Sequence, residues 1–289
     1  MSRVNRAIEL LEQGQPIYYS GGGELSYEGG RKAAHTWADY IAVEMEHGLF
    51  NLQGLAQFMR GLVDGGPTKS GHRTPAVITT LPTDGTDESV MRANAWMVKQ
   101  VMACGVHGIL LCHAETPGAV KALVEATRYP FHTAGVGAGL DEGRRGSGGQ
   151  GNAASIWGIS TQDYLRTADV WPLNPEGEIM LGLKIENQRA LANAEASTAV
   201  PGIAFAEWGP GDMGFSFGHY DAHDPPYAED MAKARAKVKA ACDAANVAFL
   251  NGVNPDNVTQ MIDEGVQVGS GGEEAANIGR KYTNRTMPW

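Results

Sequence analysis

Short runs rich in Val, Ile, Tyr and Phe alternate along the chain with longer segments whose apolar residues recur at helical spacing. Eight short runs read as strands: Pro16–Ser20, Tyr40–Glu46, Pro75–Thr80, Gly108–His113, Met180–Glu186, Ile203–Trp208, Ala248–Val253 and Val266–Ser270. Between most of them the spacing predicts helices over Leu52–Leu62, Ser89–Cys104, Pro117–Ala126, Gln188–Ala196, Ala228–Ala245 and Pro255–Glu264. Asn254 ahead of Pro255 reads as the cap of the last of these. The N-terminal stretch carries Arg3 and Arg6 with no continuous apolar run, and reads as a short amphipathic helix and not as a signal peptide. Eight strands with intervening helices predict an α/β fold, a (β/α)8 TIM barrel in a single domain over 1–289. A doubly wound open sheet is the structural alternative.

Residues 133–178 break the rhythm. They hold the Gly-rich run Gly135–Gly151 and then Trp157, Tyr164 and Trp171. So long an insertion reads either as a surface excursion with its own aromatic plug or as a lid or subunit contact. Gly135-Val136-Gly137-Ala138-Gly139 lacks the preceding strand and following helix of a dinucleotide fingerprint.

Charge narrows the function. Lys and Arg number 23 against 33 Asp and Glu, a net charge of -10. With no dense basic run, phosphate-backbone binding is not expected. No stretch approaches the roughly 20 apolar residues of a membrane span. The three cysteines, Cys104, Cys112 and Cys242, show no CxxC spacing and suit reduced thiols in the cytoplasm.

In such a barrel the reacting groups sit at the C-terminal strand ends. Here those ends read Glu44-Met45-Glu46-His47, Thr79-Thr80, Cys112-His113-Ala114-Glu115, Lys184-Ile185-Glu186-Asn187 and Trp208-Gly209-Pro210-Gly211-Asp212. Glu186 and Asp212 follow consecutive strands, so one mouth receives both carboxylates. Such a pair suits a hard divalent ion, Mg2+ or Mn2+; capping and salt-bridge roles are the competing account. The Gly209-Pro210-Gly211 turn leaves the N–H groups of Gly211 and Asp212 free for a ligand carboxylate. His47 is the natural proton carrier, its ring oriented by Glu44 or Glu46. His113 points to the same rim. Lys184, two residues before Glu186, faces inward, as an ion-pair partner or as a Schiff-base nucleophile. Cys112 follows an apolar run and reads as a buried structural thiol.

These strand ends, in this order, resemble the HpcH/HpaI aldolase family, within the wider citrate lyase β-subunit superfamily. The resemblance runs from about Trp37 to Ser270. It rests on Ile41–His47 followed by a helix, on Gly108–Pro130 with Ala126-Thr127-Arg128-Tyr129-Pro130, on Gly135-Val136-Gly137-Ala138, on Leu183–Leu191 and on Gly209-Pro210-Gly211-Asp212. It implies a barrel whose last helix is exchanged with a neighbouring subunit, commonly in a hexamer (a trimer of dimers). It also implies class II aldol chemistry on 2-oxo acids with Mg2+, Mn2+ or Co2+. Glu186 and Asp212 match the metal-binding carboxylates and His47 the catalytic histidine. Glu44 stands where an aspartate partners that histidine, and Gly211 and Asp212 match the backbone that holds a pyruvate-like carboxylate. The family's arginine after the third strand is replaced by Thr79 or Thr80. Lys184 replaces a glutamine, His113 an apolar residue, and Trp208 a smaller aliphatic.

The expectation is a metal-dependent carbon–carbon lyase, cleaving a 2-oxo acid or β-hydroxy carbonyl compound by retro-aldol reaction through a metal-stabilised enolate. A pocket gaining Trp208 while losing the arginine points to an aromatic substrate, with Thr79 and Thr80 against it and Arg92 available to re-enter from the next helix. Two other readings stay open: a class I aldolase using Lys184, and a non-catalytic barrel that binds a small acid.

Overall fold

The computed structural model describes residues 3–289. Eight parallel strands close into a barrel: β1 (Ile17–Gly21), β2 (Tyr40–Val43), β3 (Ala76–Thr79) and β4 (Gly108–Leu111), then β6 (Ile179–Lys184), β7 (Phe205–Glu207), β8 (Ala248–Gly252) and β9 (Val266–Ser270). Between the halves, β5 (Val170–Trp171) is a two-residue strand paired to the start of β6. β4 pairs directly with β6, Ile109 beside Leu181, and β9 returns to β1, Val268 beside Ile17. That closure decides between the barrel and the open sheet.

Strand alternation sends Ile17, Tyr40, Ala76, Ile78, Met180, Phe205, Ala248, Leu250 and Val268 into one interior cluster. Gly182 is needed inside, since a Cβ there would lie 2.3 Å from the Phe205 ring. The Arg6–Glu12 helix seals the lower end, adding Ala7, Ile8 and Leu10 to the same cluster. Asn5 caps that helix, its side chain accepting from the N–H groups of Ala7 and Ile8. The interior is thus apolar at the base and middle, and polar only at the upper rim.

Several elements depart from the sequence reading. The helices expected over Ser89–Cys104 and Gln188–Ala196 are each broken, at Asn94 and Asn193. Each asparagine amide donates to a backbone carbonyl, of Val90 and of Glu115, in competition with helical hydrogen bonds. The helix after β8 starts at Val258, because Asn254 folds a turn through the N–H groups of Asp256 and Asn257. Within 133–178 lie helices Gln150–Trp157 and Thr161–Thr167. Trp157 and Tyr164 are buried with ring centroids 4.7 Å apart. Trp157 also stacks on His107, just before β4. The aromatic plug therefore packs at the strand end opposite the polar rim. The Glu273–Tyr282 helix lies against its own chain, where fully buried Arg280 donates to the Trp37 carbonyl at 2.8 Å. Among the described residues no helix is long and apolar enough to cross a membrane. All three cysteines are free and buried.

Candidate active site

The site starts where β2 stops. Its pairing ends at Val43 because the Glu44 carboxylate folds the following backbone into a turn, accepting the N–H groups of Glu46, His47 (2.8 Å) and Gly48 (3.1 Å). Glu44 thus places the His47 backbone, and the ring lies beside Glu46 instead, Nε2 to Oε2 3.7 Å, with the imidazole exposed at the mouth. Thr80 Oγ1 accepts from the N–H of Met45 (2.8 Å) and of Glu46 (3.2 Å), and Thr79 Oγ1 donates to the Val43 carbonyl at 3.0 Å. Both threonines are buried and spend their hydroxyls on the turn, so neither faces substrate.

Three side chains converge: Glu46, His113 and Glu186 bring ligand atoms within 4.8 Å of one another. His113 Nε2 is 3.4 Å from Glu46 Oε1, and its Nδ1 is 3.7 Å from Glu186 Oε1. His113 sits in the left-handed region (φ 44°), and its own N–H donates to Glu186 Oε1 at 2.8 Å. Asn187 Nδ2 lies 3.2 Å from His113 Nδ1 and donates to Glu115 Oε1 at 3.0 Å, while Arg189 holds Glu115 from outside. Lys184 ties the far oxygens together, Nζ standing 2.8 Å from Glu46 Oε2 and 3.4 Å from Glu186 Oε2. The near oxygens face the imidazole, and buried Glu46 Oε1 has no hydrogen-bond partner. An orphaned acceptor beside a second carboxylate and an imidazole fits a divalent cation.

Electrostatics agree with that geometry. Burial pushes the Glu186 carboxyl up to about 8, partly offset by Lys184 and the His113 N–H and reinforced by Glu46 and Glu207. Burial also opposes ionisation of Glu46, but hydrogen bonds from Cys112 and Lys184 outweigh it and the net shift is downward. For Lys184, burial works against the charge, yet Glu186 and its acidic neighbours raise the pKa. A lysine held as a cation is the opposite of what imine formation needs. Burial raises the Cys112 thiol, so it is no nucleophile.

Other expected residues fall elsewhere. Asp212 lies in the first turn of the Pro210–Phe217 helix, near enough to help raise the Glu207 carboxyl, and outside the three-residue group. That turn overhangs the site: Gly209 (φ 50°) lies so near Glu186 that a Cβ would meet its Cβ at 2.4 Å. The N–H groups of Gly211 and Asp212 precede the first helical hydrogen bond, from Met213 to the Gly209 carbonyl. Trp208 is 1% exposed, donating to Asn251 Oδ1 and packed edge-on against Tyr227. It faces away from the barrel axis and gives the site no aromatic wall. Arg92 pairs with Glu88 and buried Glu125 and does not reach the mouth.

Two acids at the rim escaped the sequence reading. Glu207 is the partner of Lys184 in register and, two residues after inward Phe205, points inward too; strand alternation alone signals it. Asp84, four residues past Thr80, has its carboxyl raised by burial, with His113 and Glu46 among its neighbours. It comes from a loop, where no periodicity marks it.

The family model described as HpcH/HpaI aldolase/citrate lyase matches residues 29–278. The chain belongs to this family. A hydroxypyruvate/pyruvate aldolase of Paraburkholderia phytofirmans is 28% identical over 218 residues, 74% of this chain and 70% of that one. A second, from Chromohalobacter salexigens, is 30% identical over 152 residues, about half of each chain (53% and 52%). An HpcH/HpaI family protein from Burkholderia cenocepacia shares the fold, with TM-score 0.72 at 22% identity over 97% of both chains. Family and triad together match a metal-dependent, class II aldolase or citrate-lyase type of reaction.

Proposed function

We propose that the chain is a divalent-metal-dependent lyase that cleaves a 2-oxo acid with a β-hydroxyl by retro-aldol reaction. The observation that carries this reading is the convergence of Glu46, His113 and Glu186 at the barrel mouth. Two carboxylates plus an imidazole suit Mn2+ or Co2+; an all-oxygen set of Glu186 with Asp212, which the family resemblance implies, suits Mg2+. When bound, the ion supplies Lewis acidity toward the substrate carbonyl.

The chain's own residues supply the rest. Gly211 and Asp212 offer backbone N–H groups to the substrate carboxylate, in the role of the family's missing arginine. His47 accepts the β-hydroxyl proton at Nε2, with Glu46 beside it to stabilise the imidazolium. As that proton leaves, the bond between the α- and β-carbons breaks, an aldehyde departs and the electron pair passes to the enolate. A proton returned to the enolate carbon completes the oxo acid. Lys184 favours the ionised form of both carboxylates.

The named relatives support a pyruvate-like donor half. Beside the mouth, a cavity of about 580 Å3 is lined by polar Glu207, Arg235, Asn251 and Ser270 and by apolar Tyr227, Val253 and Met261, and offers room for the substrate's tail. Assembly as a hexamer, use of 133–178 as a subunit contact and a cytoplasmic location are part of the same proposal. Incubating the protein and Mn2+ with 4-hydroxy-2-oxo acids, and following pyruvate release, tests the function. No release from hydroxylated or aryl substrates would favour the small-acid-binding alternative.

A further inference from the structure

Away from the catalytic mouth, three arginines meet one carboxylate. Asp39 stands immediately before β2, at the end of that strand opposite Glu44. Its Oδ1 accepts from Arg285 Nη1 at 2.8 Å and Arg280 Nη2 at 3.2 Å, and lies 3.7 Å from Arg6 Nη2. Its Oδ2 is used by the Tyr18 N–H. The other guanidinium contacts carry no full negative charge: the carbonyls of Ala38, Trp37 and Pro16, Ser70 Oγ, the Asn277 amide, and the ring faces of Tyr18, Trp37 and Trp289. Asp39, Arg6 and Arg280 are at most 2% exposed and Arg285 is 8% exposed. Three positive charges thus share one negative charge in a region shielded from water. Each arginine also keeps a buried Nε without a hydrogen-bond partner. Buried groups left this way are rare, and buried charges are normally paired.

Arg6 lines a cavity of about 330 Å3, together with Thr36, Trp37, Thr68, Lys69 and Trp289. Glu273 is the one acid among the lining residues. We infer that this cavity is a second ligand site that binds a phosphate group, free or carried as a monoester. Of the three arginines only Arg6 lines the cavity, so its unpartnered Nε is the donor that meets a phosphate oxygen there, with the excess positive charge of Arg280 and Arg285 behind it. Lys69 at the rim and the hydroxyl of Thr36 complete a donor-rich lining, and the two indoles make the site visible by fluorescence. None of these residues belongs to the catalytic cluster, so the site stands or falls apart from the lyase reading.

The test titrates inorganic phosphate, and in parallel glycerol 3-phosphate, into the full-length protein at ionic strength held constant with NaCl. Thermal melting and tryptophan fluorescence are the readouts. Binding predicts a saturable fluorescence change and a Tm rise of roughly 3 °C at ten times Kd. Tighter binding of the ester assigns the site to phosphate monoesters; equal binding assigns it to the free ion. Arg6→Gln is expected to weaken either at least roughly tenfold. If that variant fails to fold, Lys69→Ala at the exposed rim decides, with a several-fold rise in Kd and unchanged melting without phosphate. A phosphate response no larger than that of matched NaCl, or an equal response in the variants, overturns the inference and leaves the arginines as a purely structural clamp.

Discussion

Lys184 Nζ stands 2.8 Å from Glu46 Oε2 and 3.4 Å from Glu186 Oε2, so one half-buried cation spans two acids that both face His113. Lys184 lowers the cost of ionising both carboxylates, and without it Glu186 would hold its proton to still higher pH. Lys184→Met is therefore expected to lower Mn2+ affinity at pH 7 by more than about tenfold. Half-maximal binding should also move to higher pH. Mn2+ titrations followed by electron paramagnetic resonance from pH 6 to 9 read both effects. Borohydride treatment with substrate should trap no adduct at Lys184; a trapped adduct would restore the imine mechanism.

Burial pushes the Glu186 carboxyl up to about 8, well above the value near 4.5 of a free glutamate. The unfolded chain releases this proton at lower pH than the folded one. Without metal, the Glu186 contribution to stability is complete below about pH 4.5 and is lost as pH rises toward 8. Metal-free wild type should then lose Tm across that window more steeply than Glu186→Gln. Saturating Mn2+, which requires the ionised carboxylate, should reverse the trend. Parallel melting curves without metal would show that Glu186 is not perturbed in this way.

Asn187 shares its amide between His113 Nδ1 and Glu115, while its Oδ1 caps the next helix through the Ala190 N–H. Asn187→Asp retains the cap oxygen and removes the donor. The amide donates to Nδ1 and so holds the ring proton on Nε2; a carboxylate at 187 accepts a proton from Nδ1 and frees Nε2 for a cation, so Mn2+ affinity is expected to rise several-fold. Circular dichroism and melting should stay near wild type; a collapse of the fold instead would mark Asn187 as structural.

What the sequence made legible follows from periodicity. Alternation along β6 and β7 places Lys184 and Glu186 inside, and Glu207 too, two residues after inward Phe205. The same rule puts Trp208 outside, where it packs on Tyr227 and bonds Asn251. Family likeness marked Glu186 and His47 but paired Glu186 with Asp212. His113 and Glu46 reach Glu186 first, because His113 adopts a left-handed backbone that no pattern signals. Glu44 has the residue type to orient an imidazole, yet its oxygens are used by the turn's N–H groups, which depends on where β2 stops. Asp84 comes from a loop and the arginine cluster from segments far apart in sequence, so neither has a local signature.

Trp208 and Glu207, adjacent in sequence, should behave in opposite ways. Trp208→Ala removes a fully buried indole and is expected to cost about 3–5 kcal/mol of stability. Preference between aryl and hydroxylated substrates should not change. Glu207→Gln should leave Tm nearly unchanged while raising KM for hydroxylated substrates several-fold, because its carboxylate opens toward the 580 Å3 cavity beside the mouth. Steady-state kinetics on matched substrate pairs separate the two. A specificity change in Trp208→Ala alone would return the aromatic wall to the site.

The proposed lyase depends on one divalent cation held by Glu46, His113 and Glu186. Turnover of a 4-hydroxy-2-oxo acid, measured in wild type and Glu186→Ala before EDTA, after EDTA and after added Mn2+, tests it most directly. Wild-type activity should be abolished by EDTA and restored by Mn2+, with Glu186→Ala inactive throughout. Turnover that survives both the chelator and the substitution would contradict it.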